Sequence, residues 1–271
     1  MSAEREHDTL SSWEGYDAFH WRRMWNAGDV LFFDETASTN DVAASLAAAG
    51  APDFSVVVAE RQTRGRGRGG SSWGDAPGKS LLFSVLIRTP ESGSAAGCAP
   101  IRAGMAVASA IPGARVKWPN DVVIPGHGKV AGILCEGVFG SHIVAGIGVN
   151  VLQSREDFPQ ELRAQACSVL SATGRASERS VLLTEILRAL RDYAPRITQP
   201  LSAGELAMFE RLDVLRDREV VCGVGSGESV AGVVRGVAED GALLIATADT
   251  IRPIYNGTVR LADHQTYPGT T

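Results

Sequence analysis

The chain has 271 residues, of which 44% are hydrophobic and 21% are charged, and its formal net charge is -5. This length accommodates one large domain and a small one, and the composition is that of an ordinary globular protein. The acidic balance argues against bulk nucleic-acid binding, which usually requires a basic surface.

The cysteines and the N-terminus indicate the compartment. Four cysteines lie far apart, without a Cys-x-x-Cys pair or a histidine at metal-ligand spacing, so we expect free buried thiols in a reducing compartment. The segment Met1 to Thr9 is polar with charges of both signs, which is not the pattern of a signal peptide. No apolar run approaches the length of a membrane span. We therefore expect a cytoplasmic protein without membrane association.

The first predicted elements are an arm, a strand and a helix. Residues 1–29 are polar with interspersed aromatics and read as an N-terminal arm containing one amphipathic helix packed on the main domain. A strand at Leu31–Phe33 precedes an alanine-rich helix over Asn40–Ala49, which Ser38 or Thr39 can cap.

The sequence pattern in the middle of the chain predicts a sheet with helices around it. We expect strands at Val56–Val58, Ser80–Ile87, Arg115–Trp118, Lys129–Val138 and Ile143–Val151. The last two should form an antiparallel hairpin through a turn at Phe139–Ser141. Helices are predicted around Ile101–Ile111, Ser180–Arg196 and Ala203–Leu212. Helices flanking a mixed, mostly antiparallel sheet define an α+β fold.

After Asp213 the pattern becomes all-β. Short strands separated by Gly and Asp turns are expected at Val220–Cys222, Val230–Val237, Ala242–Ile245, Ile251–Tyr255 and Val259–Leu261, and Glu239-Asp240-Gly241 is typical of a hairpin. A small β-barrel fits this stretch. We therefore predict an arm at 1–29, a main domain at 30–212, and a small domain with a short tail at 213–271.

Four motifs carry chemical information. The run Arg64-Gly65-Arg66-Gly67-Arg68-Gly69-Gly70 directly follows a β-rich stretch. Glycine lets a loop approach a ligand closely, and arginine binds carboxylates and phosphates through its planar fork. The others are Lys117-Trp118-Pro119-Asn120-Asp121, Lys129-Val130-Ala131-Gly132-Ile133-Leu134 and Gly146-Ile147-Gly148-Val149-Asn150.

Together, in this order and spacing, these motifs resemble biotin protein ligases, and the resemblance extends over nearly the whole chain. It implies a biotin/lipoate ligase catalytic domain, similar to class II aminoacyl-tRNA synthetases, followed by an SH3-like domain. It also implies ATP-dependent formation of biotinyl-5'-adenylate and transfer of biotin to a lysine of a biotin carboxyl carrier protein domain, as in acetyl-CoA carboxylase. The arm is too short for a helix-turn-helix domain, so we expect a monofunctional ligase without DNA binding, either a monomer or a homodimer.

The resemblance assigns residues to biotin and to the nucleotide. Biotin would contact the head-group segment and its paired glutamine, the Arg-Gly loop, the lysine and a glycine floor: Ser38, Thr39, Asn40, Gln62, Arg66, Gly67, Arg68, Lys129, Gly132, Gly146 and Gly148. ATP or the adenylate would contact Arg66, Gly67, Arg68, Trp73, Lys117, Asn120, Lys129 and Asn150.

The catalytic set implied by the resemblance is Lys129, Arg68, Asp121 and Asn120. Lys129 would bridge the biotin carboxylate and the α-phosphate, and Arg68 would retain the adenylate. Asp121 and Asn120 would orient the phosphates through Mg²⁺, which prefers hard oxygen ligands; a purely structural turn is the alternative for Asp121. Many relatives carry further basic residues where this chain has Gly69, Gly70 and Ser71, so roles of those residues are not transferred.

Two other functions remain open at this point. A lipoate protein ligase shares the catalytic fold, but the Gly-Arg-Gly-Arg run and the small β-domain disfavour it. An RNA-binding protein would explain the Arg-Gly run, but the net acidity and the lack of interleaved aromatics argue against it. A Rossmann dehydrogenase is set aside, because Gly146-Ile147-Gly148 lacks the third glycine and the helix that should follow.

Overall fold

The computed structural model describes residues 9–74, 76–89, 96–138, 141–225 and 227–262. Within these ranges the strands, in chain order, are β1 (Thr9–Leu10), β2 (Ser12–Trp13), β3 (Tyr16–Asp17), β4 (Val30–Thr36), β5 (Ser55–Gln62), β6 (Ser80–Arg88), β7 (Arg115–Lys117), β8 (Asp121–Ile124), β9 (Gly128–Val138), β10 (His142–Asn150), β11 (Glu219–Gly223), β12 (Ser229–Val237), β13 (Leu243–Ala246), β14 (Ile251–Ile254) and β15 (Thr258–Leu261). The helices are α1 (Ala18–Met24), α2 (Thr39–Ala48), α3 (Cys98–Ala110), α4 (Val169–Thr173), α5 (Arg179–Tyr193) and α6 (Ala203–Leu212).

A mixed sheet of eight strands forms the main body, in the order β1-β4-β5-β6-β10-β9-β8-β7. Every neighbouring pair is antiparallel except β4 and β5, which confirms the predicted mostly antiparallel sheet. The predicted β9–β10 hairpin is present, while its turn residues 139 and 140 and the predicted tail from residue 263 lie outside the described residues.

Helices cover both faces of this sheet, as its burial pattern requires. Strand β6 is buried at every position but its last, and a strand buried on both faces needs a layer on each side. On one face α2 packs Ala43 against Val57, Leu86 and Val144. On the other face lie α3 and α5, and α3 is buried almost all round because its sequence is apolar on every side.

The N-terminal residues pack on the same sheet. Strand β1 pairs with β4, and α1 is the helix predicted for the arm. Trp13, Trp21 and Trp25 are buried together, with the rings of Trp21 and Trp25 stacked at 4.8 Å between centroids. The described part of the arm therefore contributes to the main core.

A second, five-stranded antiparallel sheet follows, in the order β14-β13-β12-β11-β15, at the places where the sequence predicts strands. Its contacts with the main body include two hydrogen bonds from side chains to backbone oxygens: Trp118 Nε1 donates to Gly241 O at 3.0 Å, and Cys98 Sγ donates to Glu239 O at 3.3 Å. This packing brings the loops before β12 and before β15 next to the first sheet.

Two local features differ from the sequence expectations. The predicted strand end near Trp118 is confirmed, since β7 ends at Lys117, but the sequence misses β8, which begins at Asp121 and forms a tight hairpin with β7 around a cis Trp118–Pro119 bond. Ser38 is the residue before α2, yet its side chain makes no capping hydrogen bond. In the described part of the chain, no helix is long and apolar enough to cross a membrane.

Candidate active site

A cavity of about 600 Å³ lies where α2, the loop after β5, strands β8 to β10 and two loops of the second sheet meet. It is lined by every residue that the resemblance assigns to biotin, to the nucleotide or to catalysis except one: Ser38, Thr39, Asn40, Gln62, Arg66, Gly67, Arg68, Trp73, Lys117, Asn120, Asp121, Lys129, Gly132, Gly146 and Gly148. The exception is Asn150, which is buried at the end of β10, donates to Cys167 O and accepts from Gln153 Nε2.

One end of the cavity is neutral and polar. The start of α2 lies against the end of β5, so the Thr39 backbone N–H donates to Gln62 Oε1 at 2.8 Å, and the Thr39 hydroxyl lies 3.1 Å from the same oxygen. The Ser84 hydroxyl on β6 lies 2.7 Å from Thr39 Oγ1 and 2.6 Å from Asn40 Oδ1. These groups form a hydrogen-bonded row that suits a neutral polar ligand group.

Glycines of β9 and β10 form the floor, and side chains already lie close above it. A Cβ at Gly148 would fall 2.4 Å from two indole atoms of Trp73, and one at Gly132 would fall 2.6 Å from another. A Cβ at Gly146 would meet Asn40 Oδ1 at 2.0 Å. All three glycines line the cavity, and each leaves room for a neighbour: Gly146 accommodates Asn40, while Gly132 and Gly148 lie beneath a flat indole whose buried Nε1 lacks a hydrogen-bond partner among the described residues.

The other end of the cavity is cationic. Lys129 Nζ pairs with Asp121 Oδ1 at 2.6 Å and lies 5.2 Å from the centre of the Trp73 ring. Lys117, on the neighbouring β7, has its pKa lowered by burial. Strands β7, β8 and β9 are adjacent, so their pairing places both ammonium groups beside one carboxylate.

Arg66 and Arg68 leave the loop in different directions. Arg66 pairs with Asp41 on α2 at 2.8 Å and with Glu136 on β9 at 3.1 Å. Arg68 reaches the second sheet, where it donates to Gly257 O at 2.8 Å and to the Asn256 side chain. Burial lowers the pKa of Arg68. The two arginines therefore attach the loop to both sheets.

Asn120 and Asp121 are held by their neighbours. The Asn120 side chain donates to Ile133 O at 2.8 Å, which ties β8 to β9. Among the described residues that line the cavity, Asp121 is the only acidic side chain. No group of three or more potential metal-ligating side chains occurs in the described ranges. A single carboxylate fits Mg²⁺ that is bound mainly through phosphate oxygens and water.

Sequence reasoning missed several residues around the cavity. Ser84, Asp41 and Glu136 contact predicted site residues, and Asn256 and Gly257 bind Arg68 across the two sheets. The sequence could have indicated Ser84 and Glu136, since each is a polar residue between apolar residues of a strand. It could not have indicated the contacts of Asn256 and Gly257, because these depend on how the second sheet packs.

Comparison with known proteins identifies the family. Residues 32–151 match the biotin/lipoate A/B protein ligase family, and residues 218–261 match the biotin protein ligase C-terminal domain. The biotin–[acetyl-CoA-carboxylase] ligase of Mycobacterium tuberculosis is 33% identical over 238 residues, which cover 82% of this chain and 84% of that protein. The chain belongs to the biotin/lipoate A/B protein ligase family.

Other members of the ligase family are also similar. The bifunctional ligase/repressor BirA of Bacillus subtilis is 30% identical over 247 residues, covering 86% of this chain and 74% of that protein. Among solved structures, the biotin protein ligase of Aquifex aeolicus in complex with biotin and ATP is 27% identical with a TM-score of 0.73, covering 86% of this chain and 99% of that one. The fold expected from the four motifs is confirmed.

Proposed function

We propose that this protein is a biotin–[biotin carboxyl carrier protein] ligase. It condenses the biotin carboxylate with ATP to give biotinyl-5'-adenylate and pyrophosphate, then transfers the biotinyl group to a carrier lysine with release of AMP. The observation that carries the proposal is one cavity that joins a neutral hydrogen-bonding end at Thr39 and Gln62 to a cationic end at Lys129 and Lys117. Biotin with its ureido head and carboxylate tail, placed beside a nucleotide, matches that polarity.

In the first step one anion attacks another. A biotin carboxylate oxygen attacks the α-phosphorus of ATP, and the bond to the leaving pyrophosphate breaks. Fixed positive charge stabilises this transition state more than the separated reactants, so it lowers the barrier. Lys129 serves this role in our proposal, because Asp121 and the Trp73 ring hold its ammonium group in the cavity. Lys117 adds charge toward the phosphates.

In the second step the carrier lysine amine attacks the carbonyl carbon of the mixed anhydride, AMP leaves, and the amine loses a proton. The adenylate must survive until the carrier arrives, so water has to be excluded. Arg68 lies in the loop that bounds the cavity and contacts the second sheet, which supports a role in retaining the adenylate. The carrier we propose is the biotin carboxyl carrier domain of an acyl-CoA carboxylase, in line with the name of the M. tuberculosis relative.

Mg²⁺ is part of the proposal through the nucleotide. The ion, when bound, neutralises charge on the phosphate oxygens of ATP. Asp121 is the residue that would contact it, since it is the cavity's only acidic side chain in the described ranges. Asn120 acts in this proposal by holding β8 against β9.

Biotin is favoured over lipoate as the acid. The family that matches residues 32–151 includes both kinds of ligase, but the match at residues 218–261 is to a biotin protein ligase domain. An RNA-binding role is disfavoured, because Arg66 and Arg68 are both engaged within the protein.

The proposal is tested by pyrophosphate release from ATP and Mg²⁺ with biotin, lipoate or neither as the acid. We expect release only with biotin, and an isotopically labelled adenosine group retained on the protein. Release only with lipoate would move the assignment to the other branch of the family. The absence of release with either acid would refute the ligase proposal, and RNA binding would then be measured.

A further inference from the structure

Glu136 contacts both halves of the candidate site, although neither proposed step uses it. Its carboxylate accepts a hydrogen bond from Asn40 Nδ2 at 2.6 Å, and it pairs with Arg66 at 3.1 Å. Asn40 belongs to the neutral end of the cavity, and Arg66 belongs to the Arg-Gly loop. Glu136 is not among the residues that line the cavity. Any effect it has on a ligand must therefore pass through these two neighbours.

The first effect is to fix the direction of a hydrogen-bond row. An ionised carboxylate only accepts, so Asn40 must turn its amide nitrogen toward Glu136 and its Oδ1 toward Ser84. A hydroxyl has one proton, so a Ser84 proton that is donated to Asn40 Oδ1 is not available to Thr39. The Thr39 hydroxyl then donates to Ser84 Oγ across their 2.7 Å contact, and Gln62 Oε1 is held by the Thr39 backbone N–H. Without Glu136, the Asn40 amide could turn over and reverse this order.

Burial makes that direction matter. Ser84, Thr39 and Asn40 are each at most 5% exposed, so a mispaired polar atom in the row cannot be compensated by water. The row ends at Gln62, whose Oε1 accepts from the Thr39 backbone N–H at 2.8 Å and lies 3.1 Å from the Thr39 hydroxyl. The binding of a ligand head group through hydrogen bonds at this end therefore depends on which atoms of the row donate and which accept.

The second effect concerns the loop. Arg66 is held between Glu136 and Asp41, and hydrogen bonds to Asp41 and then Glu136 raise its pKa against the opposing effect of burial. Asp41 directly follows Asn40 on α2. The two carboxylates thus fix the position of Arg66, at the start of the Arg-Gly loop, relative to the neutral end of the cavity.

We propose that Glu136 is a positioning residue for biotin, which sets the donor–acceptor direction of the Asn40–Ser84–Thr39–Gln62 row and ties Arg66 to it. This inference rests on the proposed ligase function. It assigns Glu136 to ligand affinity and not to the chemical steps, because Lys129 pairs with Asp121 and Arg68 donates to Gly257 O.

The experiment compares Glu136→Gln with the unaltered protein by biotin titration calorimetry and by biotin-dependent pyrophosphate release. The substitution keeps the shape but removes the charge and the obligatory acceptor. We expect the Kd and KM for biotin to rise about tenfold, equivalent to about 1.4 kcal/mol, while kcat stays within about twofold. Glu185→Gln is the matched control, since Glu185 forms an exposed ion pair with Arg188 on α5.

Exchanging the amide and the carboxylate between residues 40 and 136 tests the direction of their hydrogen bond separately from the stability of the fold. Asn40→Asp alone places two carboxylates at a 2.6 Å contact and should weaken biotin binding more than Glu136→Gln does. The double variant Asn40→Asp/Glu136→Gln restores a donor facing an acceptor and keeps an acceptor oxygen toward Ser84. We expect it to bind biotin at least tenfold more tightly than Asn40→Asp, with partial recovery only, because the contact to Leu134 O is lost.

The possible outcomes distinguish this inference from the proposed function. Normal biotin affinity in Glu136→Gln, or a fall in kcat at constant KM, would overturn the positioning role and leave the ligase function standing. Absence of biotin binding by the unaltered protein would instead refute the function itself. Should thermal unfolding show that Glu136→Gln does not fold, the comparison of the double variant with Asn40→Asp decides, and equal affinities there would refute the inference.

Discussion

Gly148→Ala tests the close packing between the glycine floor and the loop. The added Cβ would lie 2.4 Å from Cε2 and Nε1 of Trp73, whereas ordinary van der Waals contact begins at 3.4 Å. The indole must therefore retreat by about 1 Å. Trp73 is tied to the loop, because its backbone N–H donates to Gly65 O at 2.9 Å and Ser72 bridges to Arg66. The displacement is thus transmitted to the arginines.

The expected loss follows from this displacement. Misplacing a site by about 1 Å can cost about 100-fold in rate, so we expect kcat/KM for biotin in pyrophosphate release to fall by about that factor. Gly137→Ala is the matched control, because Gly137 lies on the neighbouring strand β9 and its added Cβ would meet nothing within 4 Å. Both variants should unfold near the temperature of the unaltered protein. Activity of Gly148→Ala within twofold of that of Gly137→Ala would refute this account of the floor.

Three further predictions concern charge. Arg68→Gly should still form biotinyl-adenylate but release it, which is measured as biotin on lysines of an added bystander protein; tight retention would contradict the trapping role. Lys129→Ala should lower the rate of adenylate formation by about 100- to 1000-fold, the usual cost of removing one electrostatic contact to a transition state, and near-normal turnover would remove Lys129 from the site. Burial raises the pKa of Asp213 to about 7, and its Oδ2 has no hydrogen-bond partner. The folded state therefore binds more protons than the unfolded state between about pH 4 and 7, so stability should fall as pH rises through that window. Asp213→Asn, which keeps an acceptor for the Leu215 N–H, should flatten the dependence of the unfolding temperature on pH.

Local sequence signals predicted most of the fold. The runs at Val230–Val237 and Ile251–Tyr255 became β12 and β14, because short β-branched stretches between Gly and Asp turns have few alternatives. Strand β8 was missed for the opposite reason. Asp121–Ile124 is short and follows a proline and an asparagine, which read as a turn, and only pairing with β7 and β9 makes it a strand.

The chemistry of the cavity was less accessible from sequence than its lining. Motif spacing located Lys129 and Gly148 correctly at the cavity, but it could not show that Lys129 is paired with Asp121 or that an indole lies over Gly148. Asn150 was assigned to the nucleotide from its motif, yet its amide is directed to Cys167 O. Each of these contacts joins residues on different segments of the fold, so it depends on packing that no local pattern encodes.

The contacts of the Arg-Gly loop bear on how ligands act on it. Arg66 is already paired with two carboxylates, whereas Arg68 is partly desolvated and donates to two neutral oxygen atoms, Gly257 O and Asn256 Oδ1. An anion in the cavity can therefore gain more from Arg68, because it would exchange a neutral partner for a charged one, than from Arg66, which would have to give up an ion pair. A ligand shifts a conformation only by its differential interaction with the two states. Substitution of Arg68 should accordingly weaken adenylate retention. Substitution of Arg66 should first weaken the attachment of the loop to α2 and β9.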